Sequence, residues 1–353
     1  MTGKINILLL GATGYIGGSI ALRLLDHPHA SKFNITALAR TPEKWESLRC
    51  MGLNSVLGSF ADLLLLEGLA LEADVVIQVA DADNLAAMQA ILKGMRRHHT
   101  IRGSVPILIH TSGAAVFADL GAGGNFTEVH IYDDLRPDLI AEIPATQPHR
   151  RVDMELVEAD SEGFVKTYIV LPGVAYGLPS GRLVEKGIQN SHSIAIPSLV
   201  RASLVRKRGG MVGMGNNVWP NVNVDDLADL YILLLNTIIV RPEYAAHGRD
   251  GFYFAENGEH TMYQVGKAIC EGMNVMGVHS ELEPSAFTQE DLENYFGGSD
   301  FLGSNCRCRG SRSRLLGWKP VKTTRDMLAS VMPEVEETFL IQHMFLSHSH
   351  PDT

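Results

Sequence analysis

Three residues of this chain could move a proton if folding brought them together: Ser112, His149 and Asp153. An unperturbed histidine titrates at about 6.5, so it exchanges protons near neutrality without a cation beside it. His149 and Asp153 stand four residues apart in the segment HRRVD. A helix beginning around Thr146, with Pro148 in its first turn, would place both side chains on one face, Cβ atoms roughly 5–6 Å apart. The carboxylate would then orient the imidazole and favour its protonated form, while the positive end of the helix opposes that charge. Ser112 or Thr111 would hold a substrate oxygen, and Tyr132 and Tyr176 are reserve acids. A second reading stays open, in which HRRVD is a helix-start cluster that caps its own end and pairs with Arg150 or Arg151. His110 alternates with Thr111 along a strand, points to the other face, and is read as packing.

A different chemistry is written near the N-terminus. In INILLLGATGYIGGSIALRLL, Gly11, Gly14 and Gly17 follow a strand and open a helix. Glycine at these places allows a tight turn, close approach of the backbone to a pyrophosphate, and close packing of helix on strand. The helix N-terminus offers free N–H groups and a positive dipole end to phosphate. At the end of the second strand, where an acid would meet a ribose 2′-hydroxyl, the sequence NITALARTPEKW puts Arg40, with Thr41 and Lys44 beyond. A cation there suits a 2′-phosphate, so the reading favours NADP(H), with NAD(H) as the other possibility.

The elements that must position these residues alternate. Strands are expected at Ile5–Leu10, Asn34–Ala39, Ser55–Leu57, Val75–Val79, Ile107–Thr111 and Thr167–Leu171. Between them lie helical patterns such as NLAAMQAILKGMRR. Runs apolar on both faces, such as NILLL, suit strands covered by helices on both sides. The fold class is therefore α/β, a Rossmann-type doubly wound parallel sheet with a smaller, interleaved C-terminal substrate lobe. Residues 1–178 form the dinucleotide domain, to which 218–255 return. Residues 179–217 and 256–335 form the lobe, and 336–353 a tail carrying His343, His348 and His350.

Bulk properties narrow the class. With 353 residues, 45% of them hydrophobic, the chain can bury a large core. A net charge of −10 without a Lys/Arg-rich run argues against nucleic acid. No apolar stretch reaches the roughly 20 residues of a membrane span, so a cytoplasmic location is expected. Four cysteines are too few for a disulfide framework, and the lone Cys306-x-Cys308 lacks the second pair of a zinc site, so no metal is expected. Arg307, Arg309, Arg312 and Arg314 cluster late in the chain and are read as a solvated or partner-facing group.

With these motifs in place the chain resembles the extended short-chain dehydrogenase/reductase family, which contains nucleotide-sugar epimerases and dehydratases. Its likeness is to NAD(P)-binding members of fungal type. The motifs are the glycine turn, GSFAD, VIQVADAD, ILIHTSGAAVF, IVLPGVAYG and NVWPNVNVDDLADLY, spread from residue 5 to about 330. The resemblance implies that Gly11, Ala12, Thr13, Gly14, Tyr15, Ile16 and Gly17, with Arg40, bind the cofactor's phosphate portion, and that Val79 and Ala80 flank it. It implies that Asp62 touches adenine, that Pro172, Gly173 and Val174 meet the carboxamide, and that Ser112 bonds a substrate oxygen. One departure is plain: HRRVD stands where the family's Tyr-x-x-x-Lys is expected. Tyr132 has Arg136 four residues later but precedes a proline and belongs to a loop.

The expected function is NADP(H)-dependent oxidation or reduction of a carbonyl, alcohol or conjugated alkene on a small organic metabolite. The alternatives are an epimerase or dehydratase that retains its cofactor, and a non-catalytic NAD(P)-binding redox sensor. A homodimer is a possible assembly.

Overall fold

The computed structural model describes residues 3–127, 130–278 and 281–348, the last helix without side chains beyond residue 341. The strands are β1 (Ile5–Leu10), β2 (Phe33–Ala39), β3 (Asn54–Leu57), β4 (Val75–Gln78), β5 (Ile107–Thr111), β6 (Tyr132–Asp133) and β7 (Lys166–Pro172). They continue with β8 (Val174–Tyr176), β9 (Gly210–Met211), β10 (Val218–Asn223), β11 (Phe252–Ala255), β12 (Glu259–Thr261), β13 (Ser285–Ala286) and β14 (Cys308–Arg309). Helices of the first half are α1 (Tyr15–Leu25), α2 (Pro42–Cys50), α3 (Leu63–Glu72), α4 (Leu85–Arg102), α5 (Pro137–Ala141) and α6 (Arg150–Ser161). Those of the second half are α7 (Arg182–Glu185), α8 (Ala195–Arg206), α9 (Val224–Val240), α10 (Met262–Val275), α11 (Gln289–Phe296), α12 (Ser311–Leu315) and α13 (Thr324–His348).

Seven parallel strands form the central sheet in the order β11-β7-β5-β4-β1-β2-β3. Side chains alternate between its faces, as the two-residue period of a strand requires. Ile7, Leu9, Ile77, Ile109 and Val170 pack with Ile20 and Leu24 of α1, Leu48 of α2 and Leu234 of α9. Leu8, Leu10, Val76, Leu108 and Ile169 pack with Leu66 of α3, Ile91 of α4 and Leu156 of α6. Both faces are covered, which is why these strands read as continuous apolar runs. The chain winds away from β1 through β2 and β3 on one side and through β4 and β5 on the other. The switch between β1 and β4 opens the crevice in which such sheets bind ligands.

The return segment differs from expectation in detail. β10 joins β8 and β12 in a separate three-stranded sheet, and β11 supplies the seventh strand of the main one. Asn223 caps α9 through the Asp225 N–H, and α9 lies against α1. The lobe is built by α8, α10 and α13 packing on one another. Residues 336–348, expected as tail, continue α13; the side chains of His343 and His348, and the whole of His350, lie outside the described residues. Among the described residues no helix is long and apolar enough to cross a membrane.

Candidate functional site

The turn after β1 depends on glycine at close quarters. Gly11 has φ of +97°, and a Cβ there would lie 2.9 Å from the Val79 carbonyl carbon. A Cβ on Gly17 would lie 2.1 Å from the Gly11 carbonyl oxygen. The Gly14 N–H closes the turn on that same oxygen at 2.8 Å. No side chain caps α1 and its first turn carries no acid, so its unpaired N–H groups and dipole remain available to an anion.

From this turn a cleft of about 640 Å³ runs across the ends of the strands. Gly14, Tyr15, Ile16, Arg40, Val79 and Ala80 line one end; Ser112 and Thr111 the middle, with Pro172, Gly173 and Val174 beside them. Gly173 is pressed against β10, where a Cβ would meet the Pro220 oxygen at 2.6 Å. Gly11 and Gly17 shape the turn from behind, Ala12 is buried, and the Thr13 carbonyl accepts from the Asn190 N–H at 2.9 Å. Arg40 is exposed at the mouth and forms no ion pair among the described residues. Asp62 does not line the cleft. It stands at the start of α3, with one oxygen accepting from the Ser59 N–H at 2.6 Å.

The proton-transfer candidates are grouped differently from the sequence reading. α6 begins at Arg150, not near Thr146, and His149 precedes it with φ of +65°. Outside the helix the four-residue rule does not apply, and His149 and Asp153 do not pair. His149 is held by Asp83, whose Oδ1 accepts from the His149 N–H at 3.0 Å and lies 2.9 Å from Nδ1. Its Nε2 then faces Gly113, where a Cβ would come within 3.1 Å. Asp153 turns inward instead, fully buried, and accepts from Ser112 Oγ at 3.0 Å.

Behind Asp153 stands His110, also fully buried. Its Nδ1 lies 2.7 Å from Gln78 Oε1, which requires the proton on Nδ1 and leaves Nε2 as an acceptor. Gln78 is fixed in that sense because its amide donates to the Asp81 carbonyl. Asp153 Oδ1 and His110 Nε2, each without a hydrogen bond, face each other at 3.9 Å. This is not an ion pair. Burial, with His149 nearby, lowers the His110 imidazole to about 3, so it is neutral. Burial lifts Asp153 to about 7, against the opposing Ser112 hydrogen bond and Arg150. His110, read as packing, thus sits on the far side of the buried acid.

The reserve acids are elsewhere. The Tyr132 ring stacks on Phe117 at 4.5 Å, and the Tyr176 hydroxyl donates to the Thr323 carbonyl at 2.8 Å. Neither lines the cleft, and burial raises both phenols above their ordinary range. Cys306 and Cys308 are buried free thiols, raised by burial. Among the late arginines, Arg307 pairs with Glu259, Arg314 with Glu256, and Arg312 donates to the Asp134 carbonyl. Three of the four are therefore occupied within the fold. Among the described residues no group of His, Cys, Asp or Glu is placed to hold a metal ion.

The far end of the cleft was not read from sequence. Segment 187–195 crosses the glycine turn, with Gln189 Nε2 donating to the Tyr15 carbonyl at 2.8 Å. It brings His192, Ser193, Ile194 and Ala195 into the cleft together with Trp219, Met262, Phe301 and Leu302. His192 is clamped by Glu334 at 2.8 Å and Glu337 at 3.3 Å. These residues come from loops and lobe helices with no shared motif; Asp83 closes VIQVADAD beside the Asn84 cap of α4, and nothing in that stretch points to His149.

No family model matches the chain. It is 31% identical over 94% of its length to oxidase ucsJ of Acremonium sp, 98% of which is covered. To uncharacterized protein C2A9.02 of Schizosaccharomyces pombe it is 24% identical, over 90% of this chain and 96% of that one. Among solved structures, UDP-glucose 4-epimerase of Thermotoga maritima with UDP-glucose superposes with a TM-score of 0.64 at 16% identity, covering 95% of this chain and 100% of that one. MoeE5 in complex with UDP-glucuronic acid and NAD gives 0.62 at 14%, covering 94% and 99%. At such identities the structural likeness is one of fold.

Proposed function

Because the chain belongs to the extended short-chain dehydrogenase/reductase family, we propose that it is an NADP(H)-dependent oxidoreductase acting on a carbonyl, alcohol or conjugated alkene of a small organic metabolite. The observation that carries this reading is the single cleft joining the glycine turn to a Ser112 that donates to the buried Asp153 carboxyl. The nicotinamide would supply hydride chemistry. Gly11, Gly14 and Gly17 leave the space a pyrophosphate needs, α1 offers its N–H groups, and Pro172–Val174 border the position for the ring.

In this proposal Ser112 Oγ holds the substrate oxygen. With Asp153 protonated, its carboxyl donates to Ser112 Oγ and frees the serine proton to point into the cleft. On reduction Ser112 gives that proton to the developing alkoxide and takes the one from Asp153, which is left as carboxylate. One hydride and one proton convert C=O to CH–OH, and the reverse path serves oxidation. His149, one-fifth exposed and held by Asp83, stands at the rim beside Gly113, placed to return a proton from solvent.

This ordering of roles is testable with NADPH consumption on a panel of uncharged aldehydes and ketones. His149→Gln should slow turnover by roughly 3- to 10-fold, while Ser112→Ala should cost about 100-fold or more. The reverse ranking would make His149 the main donor. Net loss of NADPH absorbance also separates reduction from an epimerisation that recycles its cofactor.

Arg40 supports the phosphorylated cofactor. Removing a charge-assisted contact to a 2′-phosphate costs about 1.5–3 kcal/mol. Arg40→Ala should therefore weaken NADPH by roughly 10- to 100-fold and leave NADH within about twofold, as read by fluorescence titration. Equal losses for both would remove the 2′-phosphate role.

A further inference from the structure

The far end of the cleft is apolar and carries no free charge. Ile194, Ala195, Trp219, Met262, Phe301 and Leu302 form its wall. The Trp219 and Phe301 rings meet edge-to-face with centroids 5.6 Å apart. The indole N–H of Trp219 is already donated to the Ser304 carbonyl at 2.6 Å, so this face offers hydrocarbon alone. Ile194 and Phe301 keep, respectively, 84% and 36% of their surface open. His192, which adjoins this wall in the chain, has both ring nitrogens on Glu334 and Glu337. An anionic group placed here would lose hydration without gaining a cation, whereas an apolar ring would gain from burial. One polar atom stands apart. The Ser193 hydroxyl is shielded from solvent and has no hydrogen-bond partner among the described residues, on a residue that lines the same cleft.

We propose that the substrate is an uncharged compound with a ring-bearing hydrocarbon body lying on Trp219 and Phe301, its reactive oxygen at Ser112 and a second neutral oxygen or nitrogen at Ser193. This rests on the oxidoreductase reading for its reactive end, but the recognition end stands on the wall itself. A buried hydroxyl without a partner is costly, and rotation about the Ser193 Cα–Cβ bond would turn it to a ligand oxygen that relieves it. A nucleotide-linked sugar would find no cation for its pyrophosphate here, only the first N–H groups of α8, which no side chain caps.

The test uses the full chain saturated with NADP+, with which a ketone cannot be reduced, and three probes in calorimetric titration: 2-acetonaphthone, its 6-hydroxy derivative and UDP-glucose. Both naphthyl ketones should bind at least about tenfold more tightly than UDP-glucose, and Phe301→Ala should weaken them by about tenfold. Ser193→Ala should weaken the hydroxy ketone several-fold and leave the parent ketone unchanged. Tighter binding of UDP-glucose, or ketone affinities indifferent to Phe301→Ala, overturns the proposal. Phe301 is partly exposed, so that variant is expected to fold, and its circular dichroism checks this. NADPH affinity is measured first and separately. If it is absent, the oxidoreductase reading fails, and the same ketone titrations on the cofactor-free chain still decide whether the wall binds apolar rings.

Discussion

Replacing Asp153 with asparagine should flatten the pH profile of carbonyl reduction and slow the reaction at pH 6 by about 100-fold. In the native protein Asp153 is lifted to about 7 by burial. Its protonated form, present below that value, donates to Ser112 and turns the serine proton toward the cleft. As pH rises through about 7 the carboxylate forms, Ser112 donates back to it at the 3.0 Å contact, and the substrate oxygen loses its clamp. The native rate should therefore fall about tenfold per pH unit above 7. Asparagine can donate to Ser112 at every pH but has no proton to release, so the variant is slow and level. A profile that keeps its shape in Asp153→Asn would place the titrating group elsewhere.

The same buried acid has a stability consequence. Its folded value lies above the ordinary carboxyl value, so the stability linked to its neutral form is complete below about 3.8 and is lost as pH climbs to about 7. Between pH 5 and 8 the native protein should lose about 3 kcal/mol relative to Asp153→Asn, two titration units at about 1.4 kcal/mol each. Urea denaturation at the two pH values reads this difference directly.

Gly17→Val should abolish cofactor binding, weakening NADPH by at least about 100-fold. The new Cβ would lie 2.1 Å from the Gly11 carbonyl oxygen, and neither side of that contact is a flexible side chain. Helix α1 must move away from β1, and the turn that a pyrophosphate would rest on opens. Gly68→Ala is the matched control. It lies in α3 with no atom near its added Cβ, so it should bind NADPH normally and gain up to about 1 kcal/mol of stability. Retained affinity in Gly17→Val, in protein shown by circular dichroism to be folded, would detach the turn from cofactor binding.

The parallel sheet and glycine turn were legible because their signals are local. Apolar runs such as NILLL and the spacing of Gly11, Gly14 and Gly17 declare themselves within a few residues, and the observed strand ends coincide with the expected ones or differ by one residue. The acid–base group was not. The helix rule that joined His149 to Asp153 fails because His149 lies in the left-handed region, at a cost of roughly 1–2 kcal/mol, drawn there with its amide and ring on Asp83. That partner is 66 residues away in sequence, and no periodicity links the two. Ser112 was found through its place at a strand end, whereas its bond to Asp153 depends on the path of α6 behind the sheet. The apolar wall was invisible for a related reason. Ile194, Trp219, Met262 and Phe301 come from four separate segments, and each alone reads as ordinary core or surface.

Energy transfer from tryptophan to bound NADPH is the most direct probe of the cleft, because Trp219 lines it. Titrating the full chain with NADPH should give a saturable signal at micromolar concentration that Trp219→Phe reduces, with Trp45 and Trp318 supplying the remainder. NADH should give the same kind of signal at higher concentration. No saturable transfer with either nucleotide up to millimolar concentration would contradict a dinucleotide lying between the glycine turn and Ser112.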